Sequence, residues 1–193
     1  MHSTAGFDSK YTLRRKFFTF LGAKFHVYDS QGSLAFYSKM KAFKLKEDMR
    51  LYSDESMTVE ILSIRAKSMI DFGATYEVTD SRTGHLLGAF RRKGLKSILK
   101  DEWLVLDASG GQIGTIKEDS LALALVRRFL LNIIPQSFTV EVGEQAVCIY
   151  KQHFNPFVQK IAIDFSNDPG AKYDRLLGIA GAILLCVIES RQN

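Results

Sequence analysis

Leu176–Ile188 reads LLGIAGAILLCVI, a run without a single charge near the C-terminus. Whether it crosses a membrane or lies inside a protein core decides the fold. A membrane-spanning helix needs about 20 apolar residues, whereas runs of about 10 to 14 belong to buried core helices. Asp174 and Arg175 close the run on one side and Glu189 and Arg191 on the other, so it has no room to lengthen. Asp168 followed by Pro169 reads as an N-cap and first helical residue, which predicts a helix from there to about Ser190. A helix apolar on every face has to be walled in on every face.

The rest of the chain supplies the wall. Four hairpins are legible from paired β-type runs around turn residues: FHVYD-SQG-SLAFYS, TYEVTD-SRTG-HLLGAF, WLVLD-ASGG-QIGTI and FTVEV-GE-QAVCIY. LRRKFFTF, AFKLKE, MRLYS, VEILSIRA, IDFGA and FVQKIAIDF are further strand candidates. About a dozen strands result, and a sheet that large must close or split to manage its edges. The expectation is an all-β closed barrel of about twelve strands enclosing the hydrophobic C-terminal helix. Gly178, Ala180, Gly181 and Ala182 keep part of that helix thin for close packing. Asp119–Asn132, with Asp-Ser at its start and Pro135 after it, is expected to add a short helix over 119–131; a strand is the alternative, because Leu121, Leu123 and Leu125 alternate with smaller residues. One domain over 11–192 follows, with 1–10 as a flexible N-terminus.

These stretches carry a resemblance. RRKFF at Arg14–Phe18, AKFHVYD at Ala23–Asp29, KAFKLKED at Lys41–Asp48, RRKGLKSILKDEW at Arg91–Trp103, FNPFVQKIAIDFS at Phe154–Ser166 and DRLLGIAGAILLCVIESRQ at Asp174–Gln192 resemble, in that order, the LURP-one-related family of the tubby-like superfamily, which includes the phospholipid scramblases. The resemblance implies a twelve-stranded barrel around a C-terminal helix. It also implies an association with phosphoinositide head groups or membranes, through the tubby and scramblase branches. No match to the tubby C-terminal signature is present, so no lipid-site residue carries over from that branch.

Composition sets the charge argument. The 193 residues are 46% hydrophobic and 24% charged, with 26 Lys and Arg against 21 Asp and Glu, a net charge of +5. That excess favours an anionic partner. Its sharpest concentration is Arg91, Arg92, Lys93, Lys96 and Lys100, with no acid until Asp101. Arginine forks and mobile lysines of this kind hold phosphate oxygens. The competing reading is a solvated strand and loop, since alternation puts Arg91 and Lys93 on one face and Arg92 on the other. Arg127 and Arg128, together with Arg14, Arg15 and Lys16, extend the patch if folding gathers them. The expected partners are acidic phospholipid head groups or a protein, with peripheral rather than integral membrane association. Nucleic acid ranks lower, because zinc-finger and RNP motifs are absent and the 14 Phe and 7 Tyr fall mostly on strand patterns.

Nothing assembles a reaction centre. The four histidines, His2, His26, His85 and His153, form no metal-binding spacing, Cys148 and Cys186 are isolated, and no P-loop, GxGxxG or GxSxG occurs. Asp164, Ser166 and Asp168 resemble the start of a calcium loop, but Pro169 and Arg175 occupy the positions of its glycine and its bidentate glutamate. Asp29, Asp80 and Asp107 read as turn residues. The expectation is a non-enzymatic binding module without cofactor or metal. A scramblase-like membrane protein and an interaction scaffold with no lipid ligand are the alternatives. With no export signal or disulfide framework, the expected location is cytoplasmic, extending to the inner membrane surface.

Overall fold

The computed structural model describes residues 7–18, 22–40, 48–68, 74–93, 102–119, 136–153 and 158–189. Twelve strands form a closed antiparallel barrel: β1 (Lys10–Phe18), β2 (Gly22–Tyr28), β3 (Leu34–Met40), β4 (Asp48–Tyr52), β5 (Glu60–Ser68) and β6 (Thr75–Asp80), then β7 (His85–Arg92), β8 (Glu102–Leu106), β9 (Gln112–Glu118), β10 (Ser137–Val142), β11 (Gln145–His153) and β12 (Val158–Asp164). Each strand pairs with its neighbours in sequence, and β1 closes the barrel against β12 from Lys10 opposite Asp164 to Lys16 opposite Val158. Closure leaves no strand edge unpaired. Among the described residues the β3–β4 seam shows one register pair, Tyr37 opposite Tyr52.

Turn chemistry works as the sequence implies. The Asp29 carboxylate accepts hydrogen bonds from the backbone N–H groups of Gln31 and Ser33, Asp80 accepts from that of Arg82, and Asp107 accepts from those of Ser109 and Gly111. Gly32, Gly84, Gly110 and Gly143 take the positive φ values that these turns require. AFKLKE, the body of IDFGA and the helix expected over 119–131 lie outside the described residues, apart from the exposed Asp119.

Helix α1 (Arg175–Glu189) runs inside the barrel, and every residue from Leu176 to Ile188 is buried. Leu13, Phe25, Met49, Leu62, Val78, Phe90, Val105, Ile116, Val140, Tyr150 and Ile163 belong to the same core. Each large aliphatic side chain buried in this way contributes about 1.5–3 kcal/mol. The opening stretch is therefore a core helix. Gly178 and Gly181 set its depth. A Cβ on Gly178 would lie 2.5 Å from the Phe165 ring, and one on Gly181 would lie 2.8 Å from the Tyr150 hydroxyl. That hydroxyl donates a 2.8 Å hydrogen bond to the Gly178 carbonyl.

The helix start differs from the expectation drawn from Asp168 and Pro169. Asp174 is the N-cap, with its Oδ1 accepting from the Leu177 backbone N–H at 2.9 Å. Asp168 is 1% exposed and organises the preceding turn instead. Its carboxylate accepts from the backbone N–H groups of Lys172 and Tyr173 and from Arg175 Nη1, while its carbonyl accepts from Arg175 Nη2. The other helix end takes a cation from the wall: Arg15 Nη1 donates to the Cys186 carbonyl at 3.0 Å. A positive group there complements the partial negative charge of a helix C-terminus.

Candidate functional site

An anion-binding surface needs cations on one face that are not neutralised by neighbours. The alternation of β7 separates the Arg91–Lys93 group as its period requires. Phe90 points into the core, and Arg91 is exposed outside, where its Nε donates to Thr75 Oγ1 at 3.2 Å. Arg92 lies opposite Trp103, on the inner side of the wall and half-buried, and its charge opposes the upward push that burial gives the Tyr76 phenol. Lys93 is exposed and pairs with Glu102 at 3.2 Å. Lys96, Lys100, Arg127 and Arg128 lie outside the described residues. Arg15 is no part of an outer patch, because it is buried and turned to the helix end.

The barrel places a different set of cations side by side. Five consecutive strands around the closure, β11, β12, β1, β2 and β3, carry Lys10, Arg14, Lys24, Lys39, Lys151 and Lys160, besides the inward Arg15, against one acid, Asp164. At neighbouring-strand spacings near 4.8 Å this wall is about 20 Å wide. On its outer side Arg14 stands directly opposite Lys160, and Lys24 directly opposite Lys39. Like charges directly opposite each other on one face destabilise a sheet. Among the described residues, Arg14, Lys39, Lys151 and Lys160 make no ion pair, and Lys10 bonds Asp164 at the lower end of the wall.

The remaining strands show the opposite arrangement. Asp48 stands opposite Arg65, Arg65 opposite Glu77, and Glu102 opposite Lys117. Arg50 bridges Asp48 and Glu60, Lys67 bonds Glu77 at 2.6 Å, and Lys117 bonds Glu141 at 2.7 Å. In these registers, among the described residues, opposite charges face each other. Arg14 was already a candidate in the sequence, but the wall around it was not legible, because its cations come from segments more than a hundred residues apart, gathered only by the β1–β12 closure. The alternation of KYTLRRKFF with KIAID was the available signal, but it says nothing of register.

The outer face also holds an aromatic group. His26 occupies an outward position opposite Arg14 and Tyr37, yet it is 5% exposed. The Tyr28 ring stacks on it at 6.1 Å, the Tyr37 ring meets it edge-on at 5.1 Å, and the Arg14 guanidinium lies 4.8 Å from the Tyr28 ring centre. His26 Nε2 is 3.2 Å from Glu55 Oε1, which reaches over from the β4–β5 loop. Burial, reinforced by the Glu55 charge, pushes the Tyr37 phenol above its ordinary value.

Two other features are engaged internally. A cleft of about 380 Å³ beside Asp8, Ser166 and Pro169 reaches Arg175, but Asp168 holds that guanidinium. Asp164, from the calcium-like stretch, accepts from the Ser166 backbone N–H and pairs with Lys10. Among the described residues no group of three or more His, Cys, Asp and Glu is close enough to share a metal ion, and no helix is long and apolar enough to cross a membrane.

A closed twelve-stranded antiparallel barrel threaded by its own C-terminal helix is the tubby-like class of architecture. Within that class the chain belongs to the LURP-one-related family, whose model matches residues 34–184. The match begins at β3, so β1 and β2, with Arg14, Lys24 and His26, precede it. None of the curated proteins and none of the solved structures matches the chain.

Proposed function

We propose that this chain is a non-enzymatic binding module that docks on anionic phospholipid head groups through the outer face of β11, β12, β1, β2 and β3. The observation that carries the reading is the like-charge register of Arg14 opposite Lys160, neither of which makes an ion pair among the described residues, on a barrel whose β4–β5 and β8–β9 registers set opposite charges against each other. A wall that keeps a repulsive pair gives up stability, and an anionic surface placed against it recovers that loss. A basic face that runs across five strands suits an extended anionic surface better than a single small anion. Arg91, Arg92, Lys93, Lys96, Lys100, Arg127 and Arg128 form a second candidate set in this reading. Peripheral attachment at a cytoplasmic membrane surface is the setting that such docking implies.

The test is co-sedimentation with vesicles of phosphatidylcholine alone and of phosphatidylcholine mixed with phosphatidylserine, at low and high salt. Binding only to the mixed vesicles, weakened by salt, is expected. Replacing Arg14, Lys39, Lys151 and Lys160 by Ala is expected to abolish it, with the melting temperature unchanged or raised. Replacing Arg91, Lys93, Lys96 and Lys100 by Ala measures the second set separately. Binding that survives the first replacement and is lost with the second moves the site to the Arg91–Lys100 cluster. A chain that ignores both vesicle types has a protein partner instead, and the lipid reading fails.

A further inference from the structure

The β4–β5 loop sets Glu55 against His26 on the basic wall. It is a built turn: Ser53 N–H donates to the Val59 carbonyl, Met57 N–H donates to the Asp54 carbonyl, and the Asp54 carboxylate accepts from the Ser56 N–H and the Ser53 hydroxyl. Met57 sits in the left-handed region at φ 56°, a conformation that a non-glycine residue holds at a cost. The result is a fixed platform that carries Glu55 to His26.

His26 lies in the register row that runs from Lys160 through Arg14, so a carboxylate on its Nε2 is an anion seated on the wall itself. The His26 ring is 5% exposed, and its Nδ1 is buried without a hydrogen-bond partner. Glu55 remains 60% exposed. The burial therefore falls on the histidine, while the carboxylate above it stays open to exchange with solvent.

We propose that the β4–β5 loop is a built-in anionic latch: Glu55 holds on His26 the place that an anionic head-group oxygen takes on docking, and a membrane surface engages the row by displacing it. This inference rests on the basic-wall reading and adds its regulation. A purely structural role is the competing account, since the loop also straps the β3–β4 seam, where Tyr37 lies opposite Tyr52. The two differ in sign. A strap supports the folded wall, so its loss leaves docking unchanged or weaker, whereas a latch opposes docking, so its loss strengthens it.

The experiment compares Glu55→Gln, Glu55→Asp and Glu77→Gln with the unaltered full chain, on vesicles of phosphatidylcholine mixed with phosphatidylserine. Glu77 lies opposite Arg65 and bonds Lys67, so Glu77→Gln makes the same charge change away from the wall. Glu55→Asp keeps the charge but loses the reach to His26. The expected result is a rise in affinity of about two- to fivefold for both Glu55 variants, the span open to losing one exposed ion pair, with little change for Glu77→Gln. Inositol hexakisphosphate, a polyanion without a bilayer, is the second probe. Its saturation is expected to shift the His26 ring signals in NMR if the row accepts phosphate itself, and unmoved signals would overturn the latch. Equal gains for Glu55→Gln and Glu77→Gln, with none for Glu55→Asp, reduce the effect to net charge and also overturn it. Unchanged or weaker binding in both Glu55 variants overturns the latch and leaves the wall standing. An unaltered chain that binds neither probe defeats the wall reading itself.

Discussion

At the scale of single residues, the helix fits its barrel through what it lacks. Gly178 and Gly181 leave room for the Phe165 ring and the Tyr150 hydroxyl, and Phe165 and Tyr150 are themselves 0% and 1% exposed, so neither has space into which to retreat. Gly178→Ala is expected to destabilise by about 1–3 kcal/mol through overpacking. The gain from alanine's better helix propensity, about 1 kcal/mol, offsets only part of that. Gly170→Ala is the control, since a Cβ there meets nothing within 4 Å. Thermal melting should separate the two clearly, and an unchanged melting temperature for Gly178→Ala would contradict the packing described. That glycines thin this helix was legible from their place in the apolar run. Which rings they admit was not, because Tyr150 approaches from β11 and Phe165 from the turn after β12.

At the scale of elements, the start of α1 rests on a buried pair. Asp168 and Arg175 side chains are 1% and 7% exposed and 2.9 Å apart, and the same carboxylate holds two backbone N–H groups. Asp168→Ala leaves a buried guanidinium and two donors without their acceptor, at an expected cost of about 3–5 kcal/mol. Asp174→Ala removes only the N-cap and should cost about 1 kcal/mol. Urea unfolding of both variants distinguishes these roles, and equal losses would mean that Asp168 does no more than cap. Asp168 reads as the cap because Asp-Pro is a sound helix start. Five residues of tight turn separate it from Asp174, with Ala171 at φ 50° and the carboxylate folded back onto its own loop. Strands and hairpins were readable because alternation and turn residues are local signals. The partner of the helix C-terminus, Arg15, was not readable, since it lies 171 positions from Cys186.

At the scale of the whole molecule, closure does two things that no segment foretells: it sorts charge around the barrel, and it seals four titratable groups in a dry core. Burial pushes the Cys186 thiol up to about 12 and lifts the Cys148 thiol and the Tyr150 and Tyr173 phenols above their ordinary values. In the unfolded chain the same groups ionise near 9.0 for thiols and 10.0 for phenols. As pH rises the unfolded state therefore sheds protons first, and the balance moves toward it. The stabilisation is complete below the unfolded values and is lost progressively as pH rises toward the folded ones, with a slope of up to about 1.4 kcal/mol per pH unit for each group. The melting temperature should stay level through neutral pH and fall with increasing steepness above about pH 9. Tyr150→Phe removes one such group and should lessen that fall, although it also loses the bond to Gly178. Cys186→Ala removes another without touching that bond. Both thiols should resist a maleimide in the native protein and react once it is unfolded in urea. Rapid native labelling at mildly alkaline pH would show that water reaches the barrel interior, and the account of a sealed helix would fall with it.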